Sequence, residues 1–109
     1  MRIIEKNEGP KIPYEVSGKK ITFDDDLTIN LAKRQEDWDV HVDVCYDEDG
    51  TLVIGAAAGR RFVAELDIPK REYIHPEHNE SDDPMAESDP PTPVPLDMDE
   101  VTLSLWAVK

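Results

Sequence analysis

Two histidines and several carboxylates lie close together between positions 75 and 89 of the sequence. His75 and His78 are separated by a proline and a glutamate, and Asp82 and Asp83 follow them. Imidazole nitrogens and carboxylate oxygens are ligands of zinc and other divalent cations. The proline stiffens the chain between the histidines, however, and no helical pattern places them on one face. We therefore predict a solvated acidic segment, with a divalent-cation site in this segment as the alternative.

A second set of reactive side chains occupies every second position of a predicted strand: Asp39, His41, Asp43 and Cys45. Alternate residues of a strand share one face and lie roughly 6.5–7 Å apart. A metal ion would fit between two of them, whereas a catalytic pair needs a contact of about 2.6–3.2 Å. We predict a solvated or partly covered sheet face here, without catalytic residues.

Two further motifs have the composition of ligand-binding loops but lack their context. Residues 47–50, Asp-Glu-Asp-Gly, are rich in calcium ligands, but the calcium loop of an EF-hand is longer and lies between two helices. Residues 55–61 are rich in glycine and alanine, yet they lack the Gly-Lys-Ser/Thr ending of a phosphate-binding P-loop. The first segment is typical of a hairpin turn. The sequence thus predicts a protein that is not an enzyme and holds no cofactor.

The length and composition are those of a single domain. The chain has 109 residues, of which 39% are hydrophobic and 34% charged, which predicts one domain spanning residues 1–109. A single cysteine excludes an internal disulfide, and the N-terminus becomes charged too early for a signal peptide. No apolar run approaches the roughly 20 residues of a membrane-spanning helix. We therefore expect a cytoplasmic protein.

The formal net charge of −13 restricts the class of partner. Nucleic acids and anionic membranes bind surfaces rich in lysine and arginine, so neither is an expected partner. A basic protein is attracted instead, although acidic charge also serves solubility. The sequence predicts a non-enzymatic protein-interaction or structural accessory module. The alternatives are the divalent-cation binder described above and an acidic mimic of nucleic acid that occupies the basic groove of a protein.

The most regular strand pattern lies between Trp38 and Tyr46, where apolar and polar residues alternate. Valines at the inward positions favour a strand over a helix because their β-branched side chains are restricted in helices. A loop over residues 48–50 would pair Val44 with Ile54 and keep the apolar faces together. The predicted inward residues of this strand are Trp38, Val40, Val42, Val44 and Tyr46, with Tyr46 opposite Leu52.

An earlier hairpin is predicted from the same alternation. Its turn at residues 17–18 joins residues 12–16 to residues 19–23 and places Tyr14 opposite Ile21. The strand that follows carries three apolar residues on one face: Leu27, Ile29 and Leu31.

Two later segments also alternate. Residues 62–68 follow a predicted turn at residues 59–61, with a two-residue turn at residues 59–60 as the alternative, and are expected to pair with the strand before them. The three-residue turn would place Ile54 opposite Leu66. Residues 101–108 are the last predicted strand, which docks beside residues 62–68 or on a sheet edge.

Trp106 lies on the face of this last strand opposite Leu103 and Leu105. We predict that the strand is an exposed edge, because an edge offers unpaired backbone groups to another chain. Trp106 is therefore a candidate interaction residue, with either a homodimer or a larger assembly as the product.

Between residues 75 and 98 the alternation is lost. Six prolines in this segment are expected to exclude helices and sheet ladders. A segment rich in charge and poor in apolar groups cannot offset the entropy lost on ordering, so we predict a flexible acidic loop within the domain. Four of its acidic residues are candidate contacts for a basic partner: Asp82, Asp83, Glu87 and Asp89.

Together these patterns predict an all-β fold. The expected architecture is a small antiparallel β-sandwich or partly open barrel of five to seven strands, with a long acidic, proline-rich loop before the last strand. This prediction depends on one shared interior, formed by five side chains: Val40, Val42, Val44, Ile54 and Leu66.

Overall fold

The computed structural model describes residues 1–55, 61–75 and 91–108, and these residues form a mostly β structure. The elements in chain order are β1 (Arg2–Glu5), β2 (Tyr14–Ser17), β3 (Lys20–Phe23), β4 (Leu27–Asn30), α1 (Leu31–Arg34), β5 (Val40–Tyr46), β6 (Leu52–Ile54), β7 (Arg61–Ile68), β8 (Tyr73–Ile74), β9 (Thr92–Pro93), a 3₁₀ turn (Met98–Glu100) and β10 (Thr102–Leu105). The described ranges contain no helix that could span a membrane.

The largest sheet has five strands in the order β1-β10-β7-β5-β6. Strand β1 runs parallel to β10, and every other neighbouring pair is antiparallel. The sheet is therefore mixed, and the described strands do not close into a barrel, so the prediction of a purely antiparallel sheet is wrong. The prediction fails because it does not include β1. The sequence pattern does not reveal this strand, since Arg-Ile-Ile-Glu has no period-two alternation.

One face of this sheet forms the core, as the alternation in β5 predicts. Val42, Val44 and Leu66 are buried, and Val40 is half-buried. Ile54 is 37% exposed because β6 is an edge strand, so its predicted burial is wrong. Trp38 is also not an inward residue of a strand. It precedes β5 and is 62% exposed.

The hairpin between β5 and β6 has the predicted register. Val44 pairs with Ile54, and Tyr46 pairs with Leu52. The Oδ1 atom of Asp47 accepts hydrogen bonds from the backbone N–H groups of Asp49 and Thr51, both at 2.9 Å. The acidic turn thus uses its first carboxylate to hold its own backbone, which agrees with the turn interpretation of residues 47–50.

Strand β7 does not pair with β6 as predicted. It lies on the other side of β5, where Val42 pairs with Leu66, and it continues to β10. Successive strands are usually neighbours, and the prediction relied on that tendency. β5 has seven residues and β6 has three, so pairing with β5 gives β7 the longer ladder. Residues 56–60, which include most of the predicted turn at residues 59–61, lie outside the described residues.

The second sheet has three strands in the order β2-β3-β4. Tyr14 pairs with Phe23 and Val16 pairs with Ile21, so the turn lies at Gly18 and Lys19, and the predicted turn at residues 17–18 is wrong. Gly18 has φ +59°, a backbone conformation that glycine adopts without strain. The shift is two residues, which leaves every side chain on its predicted face.

The buried side chains of the three-stranded sheet join the same hydrophobic core as those of the five-stranded sheet. Ile21, Phe23 and Ile29 are almost fully buried, and they belong to one cluster with Val44 and Leu66. Burial of this apolar surface is the main force that holds the two sheets together.

Leu31 lies in the predicted third strand, but in the structure it begins helix α1, so this part of the prediction is wrong. The side chain of Asn30 accepts a hydrogen bond from the backbone N–H of Lys33 (3.1 Å) and so caps the helix. Leu31 remains buried in the core, as its apolar character predicts.

Strand β10 is an internal strand, so its prediction as an edge is wrong. It pairs with β7, where Leu103 faces Leu66, and this part of the prediction is confirmed. Its other side is covered by the parallel strand β1. The edges of the five-stranded sheet are β1 and β6.

The predicted loop at residues 75–98 is described at its start and at its end. Pro93 pairs with Tyr73 in a two-stranded ladder, so the expectation that prolines exclude strands is wrong at this position. Pro93 is tolerated there because a two-stranded ladder consists of edges. Leu96 is buried against the core. Residues 76–90 lie outside the described residues, and the flexible loop remains a prediction.

Candidate functional site

The face of the five-stranded sheet opposite the core carries a group of polar side chains from β5 and β7. The register pairs His41 with Asp67 and Asp43 with Glu65. Because alternate residues of each strand point to the same face, these four side chains project together from two central strands. We call them the His41 group.

His41 lies at the centre of this group. Its Nδ1 atom is 2.7 Å from Oδ1 of Asp67, and its Nε2 atom is 2.7 Å from Oδ1 of Asp43. The Nε2 atom is also 3.3 Å from Oε1 of Glu65. One imidazole therefore contacts three carboxylates, two of them across the strand pair.

The surrounding carboxylates alter the protonation of His41. The hydrogen bond to Asp67 is the largest cause, and it raises the pKa of His41 above its usual range. Burial opposes this shift, and Asp43 adds to it. The side chain of His41 is 47% exposed, so these ion pairs are screened by water and contribute little to folding.

Trp106 adds an aromatic contact to the group. Its indole Nε1 donates a hydrogen bond of 2.8 Å to Oε2 of Glu65. Its ring packs against Phe62 with a centroid distance of 6.2 Å. The predicted placement of Trp106 on the outward face is confirmed by the contact with Glu65, although Trp106 follows β10 and does not lie at a sheet edge.

Three members of the group have the chemistry and spacing of metal ligands. One ligand atom from each of His41, Asp43 and Glu65 lies within 4.8 Å of the other two. One imidazole nitrogen and two carboxylate oxygens suit zinc or another divalent transition metal. Asp67 contacts the other imidazole nitrogen, which is the position of the outer-shell carboxylate in many histidine–metal sites.

The other two residues of the predicted stripe do not belong to the group. Cys45 is 1% exposed, and burial is the main reason why its thiol pKa is raised, with Asp43 and Glu65 adding to the shift. A thiol in this state is a poor nucleophile and a poor ligand. The carboxylate of Asp39 instead accepts a hydrogen bond from the backbone N–H of Lys70 (3.0 Å).

Of the candidate site residues between positions 75 and 89, the structure describes His75. His75 is exposed and follows β8. The remaining candidates lie outside the described residues, and their roles stay predictions: His78, Asp82, Asp83, Glu87 and Asp89.

Sequence reasoning found His41 and Asp43 but missed Glu65 and Asp67. The alternation in residues 62–68 already places these two carboxylates on the outward face of β7. The missing information was the neighbour of β7. Pairing with β6 would have kept Glu65 away from His41, whereas pairing with β5 brings them together.

The chain is thus a mostly β protein with a mixed five-stranded sheet, and the outward face of that sheet carries a histidine–carboxylate group. No protein-family model, no curated protein and no solved structure matches the chain.

Proposed function

We propose that this protein is a non-enzymatic interaction module whose strand β1 pairs with a strand of a basic partner protein. The observation that supports this proposal is the exposure of β1. It is one of the two edge strands of the five-stranded sheet, and all four of its residues are exposed. In the part of the chain that the structure describes, no strand pairs with its outer side.

Some backbone groups of β1 are positioned to form hydrogen bonds with a partner strand. The N–H groups of Arg2 and Lys6 donate to the carbonyls of Val101 and Leu105, at 2.9 and 2.8 Å. In a parallel ladder alternate residues bond to the same neighbour, so the N–H groups of Ile3 and Glu5 are directed to the outer side. A partner strand would satisfy these groups in the way that peptides extend the sheets of other binding domains.

The side chains of β1 add apolar surface on both faces of the sheet. Ile3 pairs with the buried Leu103 on the core face and is 45% exposed, and Ile4 pairs with Ser104 on the outward face and is 46% exposed. An added strand would cover both isoleucines, and cross-strand contacts of this kind stabilise a sheet.

Charge favours a basic partner over a second copy of the chain. Each copy carries a formal charge of −13, so two copies repel each other. A basic strand is attracted, and its attraction speeds association and discriminates against acidic partners. The expected partner segment therefore alternates β-branched apolar residues with lysine or arginine.

Peptide binding tests the proposal directly. Three peptides of one length would alternate valine with lysine, glutamine or glutamate, and fluorescence anisotropy would measure their affinity for the full chain. We expect the affinity to be highest for the lysine peptide, lower for the glutamine peptide and lowest for the glutamate peptide. Ile3→Pro removes an outward N–H of β1 and should weaken binding of the lysine peptide about tenfold or more.

Two matched variants control for this substitution. Ile3→Ala shortens the same side chain but keeps the N–H group, so it should retain more affinity than Ile3→Pro. Val16→Pro alters β2, the edge of the three-stranded sheet, and should leave binding unchanged. Loss of binding in Val16→Pro but not in Ile3→Pro would assign the contact to β2 and reject the proposal.

Self-association is a separate outcome. Sedimentation at micromolar concentration should give a monomer for the wild type. A dimer that dissociates in Ile3→Pro would show that β1 pairs with a second copy, and the proposed basic partner would then be wrong.

The acidic residues of the predicted loop remain a second candidate contact for a basic partner. A variant with residues 75–95 shortened separates the two surfaces, because it keeps β1 intact. Retained binding of the lysine peptide assigns the contact to the sheet edge, and lost binding assigns it to the loop.

A further inference from the structure

We propose that His41, Asp43 and Glu65 bind a zinc ion on the outward face of the five-stranded sheet. This inference does not depend on the proposed partner, because the three ligands lie on the central strands β5 and β7 and not on β1. It also differs from the predicted cation site in residues 75–89, which uses other side chains.

One of the two distances from His41 Nε2 to a carboxylate matches the spacing of ligands in a tetrahedral zinc site. Zinc binds nitrogen and oxygen ligands at about 2.0–2.2 Å, so two ligand atoms of a tetrahedral ion lie about 3.3 Å apart. The distance from His41 Nε2 to Glu65 Oε1 is 3.3 Å. The distance from Nε2 to Asp43 Oδ1 is 2.7 Å, a hydrogen-bond length. Zinc binding would lengthen this second distance by roughly half an ångström, which a half-exposed histidine can accommodate.

The contacts around the ligands hold them in a binding orientation. Asp67 accepts a hydrogen bond from Nδ1 of His41, which keeps the proton on Nδ1 and leaves Nε2 to face the two carboxylates. Trp106 donates to Oε2 of Glu65, so that Oε1 is the oxygen nearest to His41. Each of these two ligands is therefore fixed by a second residue, as in established metal sites.

Charge and access also favour a cation here. The group has three carboxylates around one imidazole, so it remains negative even when the imidazole is protonated. A divalent ion would replace the proton on Nε2 and balance the charge of the two ligand carboxylates, Asp43 and Glu65. The side chain of His41 is 47% exposed, so solvent can supply a water ligand at the fourth position.

Isothermal titration of the chelator-treated full chain with zinc tests this proposal. We expect one zinc ion per chain at the His41 group and a higher thermal midpoint in the presence of zinc, because a ligand that binds the native state stabilises it. His41→Ala and Glu65→Gln remove direct ligands, so their loss of affinity should exceed the roughly 10–100-fold effect of outer-shell changes.

Matched variants distinguish the His41 group from zinc binding elsewhere on the chain. Asp39→Asn changes a carboxylate that precedes β5 and lies outside the group, and His75→Ala with His78→Ala removes the imidazoles of the alternative segment. Both should bind zinc as the wild type does. Trp106→Phe should weaken zinc binding about tenfold or more by releasing Glu65, and circular dichroism of each variant confirms that it is folded.

Nitrogen-15 NMR of the imidazole provides an independent readout. Zinc should shift the Nε2 resonance of His41 while Nδ1 keeps its proton.

Three results would each overturn the proposal: absence of zinc binding in the wild type, unchanged affinity in His41→Ala, or loss of binding in the His75/His78 variant. Ile3→Pro should bind zinc normally, so failure of the proposed partner contact and failure of the zinc site are distinguishable.

Discussion

The two faces of the five-stranded sheet are built from alternate residues of the same strands but have different chemistry. On one face Val42 and Leu66 pair across β5 and β7 and are buried. On the other, His41 and Asp67 pair across the same two strands and remain about half exposed. Neighbouring positions of one strand therefore have different surroundings: the core face holds the strands together, and the outward face presents polar side chains to solvent.

A similar contrast exists between the two histidine regions. His75 and His78 are close in sequence, which makes them candidate ligands of one ion. His41 and Asp67 are 26 positions apart, yet strand pairing brings their side chains to 2.7 Å. Strand pairing therefore brings candidate ligands together without any proximity in sequence.

Leu66→Ala tests the core face and should have the largest effect. Leu66 is 0% exposed and pairs with Val42 and Leu103 in the middle of the sheet. Truncation leaves a cavity, so we expect the free energy of unfolding to fall by about 2–5 kcal/mol in urea denaturation.

Ile4→Ala is the matched control for this loss, since Ile4 is an aliphatic residue of the same sheet that is 46% exposed. Ile4→Ala should lower the free energy of unfolding by less than about 1 kcal/mol. Equal losses in the two variants would mean that the core does not lie where the structure places it.

Trp106→Phe should have an intermediate effect on stability. The substitution keeps an aromatic ring against Phe62 but removes the hydrogen bond to Glu65. We expect a loss of about 1 kcal/mol, the usual contribution of one hydrogen bond, measured by the same denaturation. Trp38→Phe makes the same chemical change at a residue that is 62% exposed and should leave stability unchanged. If the two tryptophan variants were equally stable, Trp106 would not hold Glu65.

The local features of the fold could be predicted from the sequence because they depend on neighbouring residues. Alternation from Val40 to Tyr46 predicts β5, and the acidic glycine turn after it fixes the pairing of Val44 with Ile54. The burial of Val42, Val44 and Leu66 follows from the same pattern.

The long-range features could not be predicted because strand order leaves no local signal. Nothing in Arg-Ile-Ile-Glu indicates that β1 pairs with β10 near the other end of the chain. The strand that pairs with β7 cannot be identified from local pattern either, since β5 and β6 both carry apolar residues that could lie opposite those of β7. That choice decides whether Glu65 meets His41, so the candidate site could not be assembled before the sheet order was known.

His41→Asn should have the smallest effect on stability and the clearest effect on ligand binding. In chelator-treated protein we expect a change of less than about 1 kcal/mol, because the ion pairs of a half-exposed histidine are screened by water. The substitution also leaves the core face unchanged, since the pair of Val42 and Leu66 lies on the opposite side of the sheet. Thermal melts with and without zinc measure this difference. Zinc should raise the thermal midpoint of the wild type but not that of His41→Asn. A large loss of stability without metal would show that the His41 group holds the strands together, and the separation between the two faces would then fail.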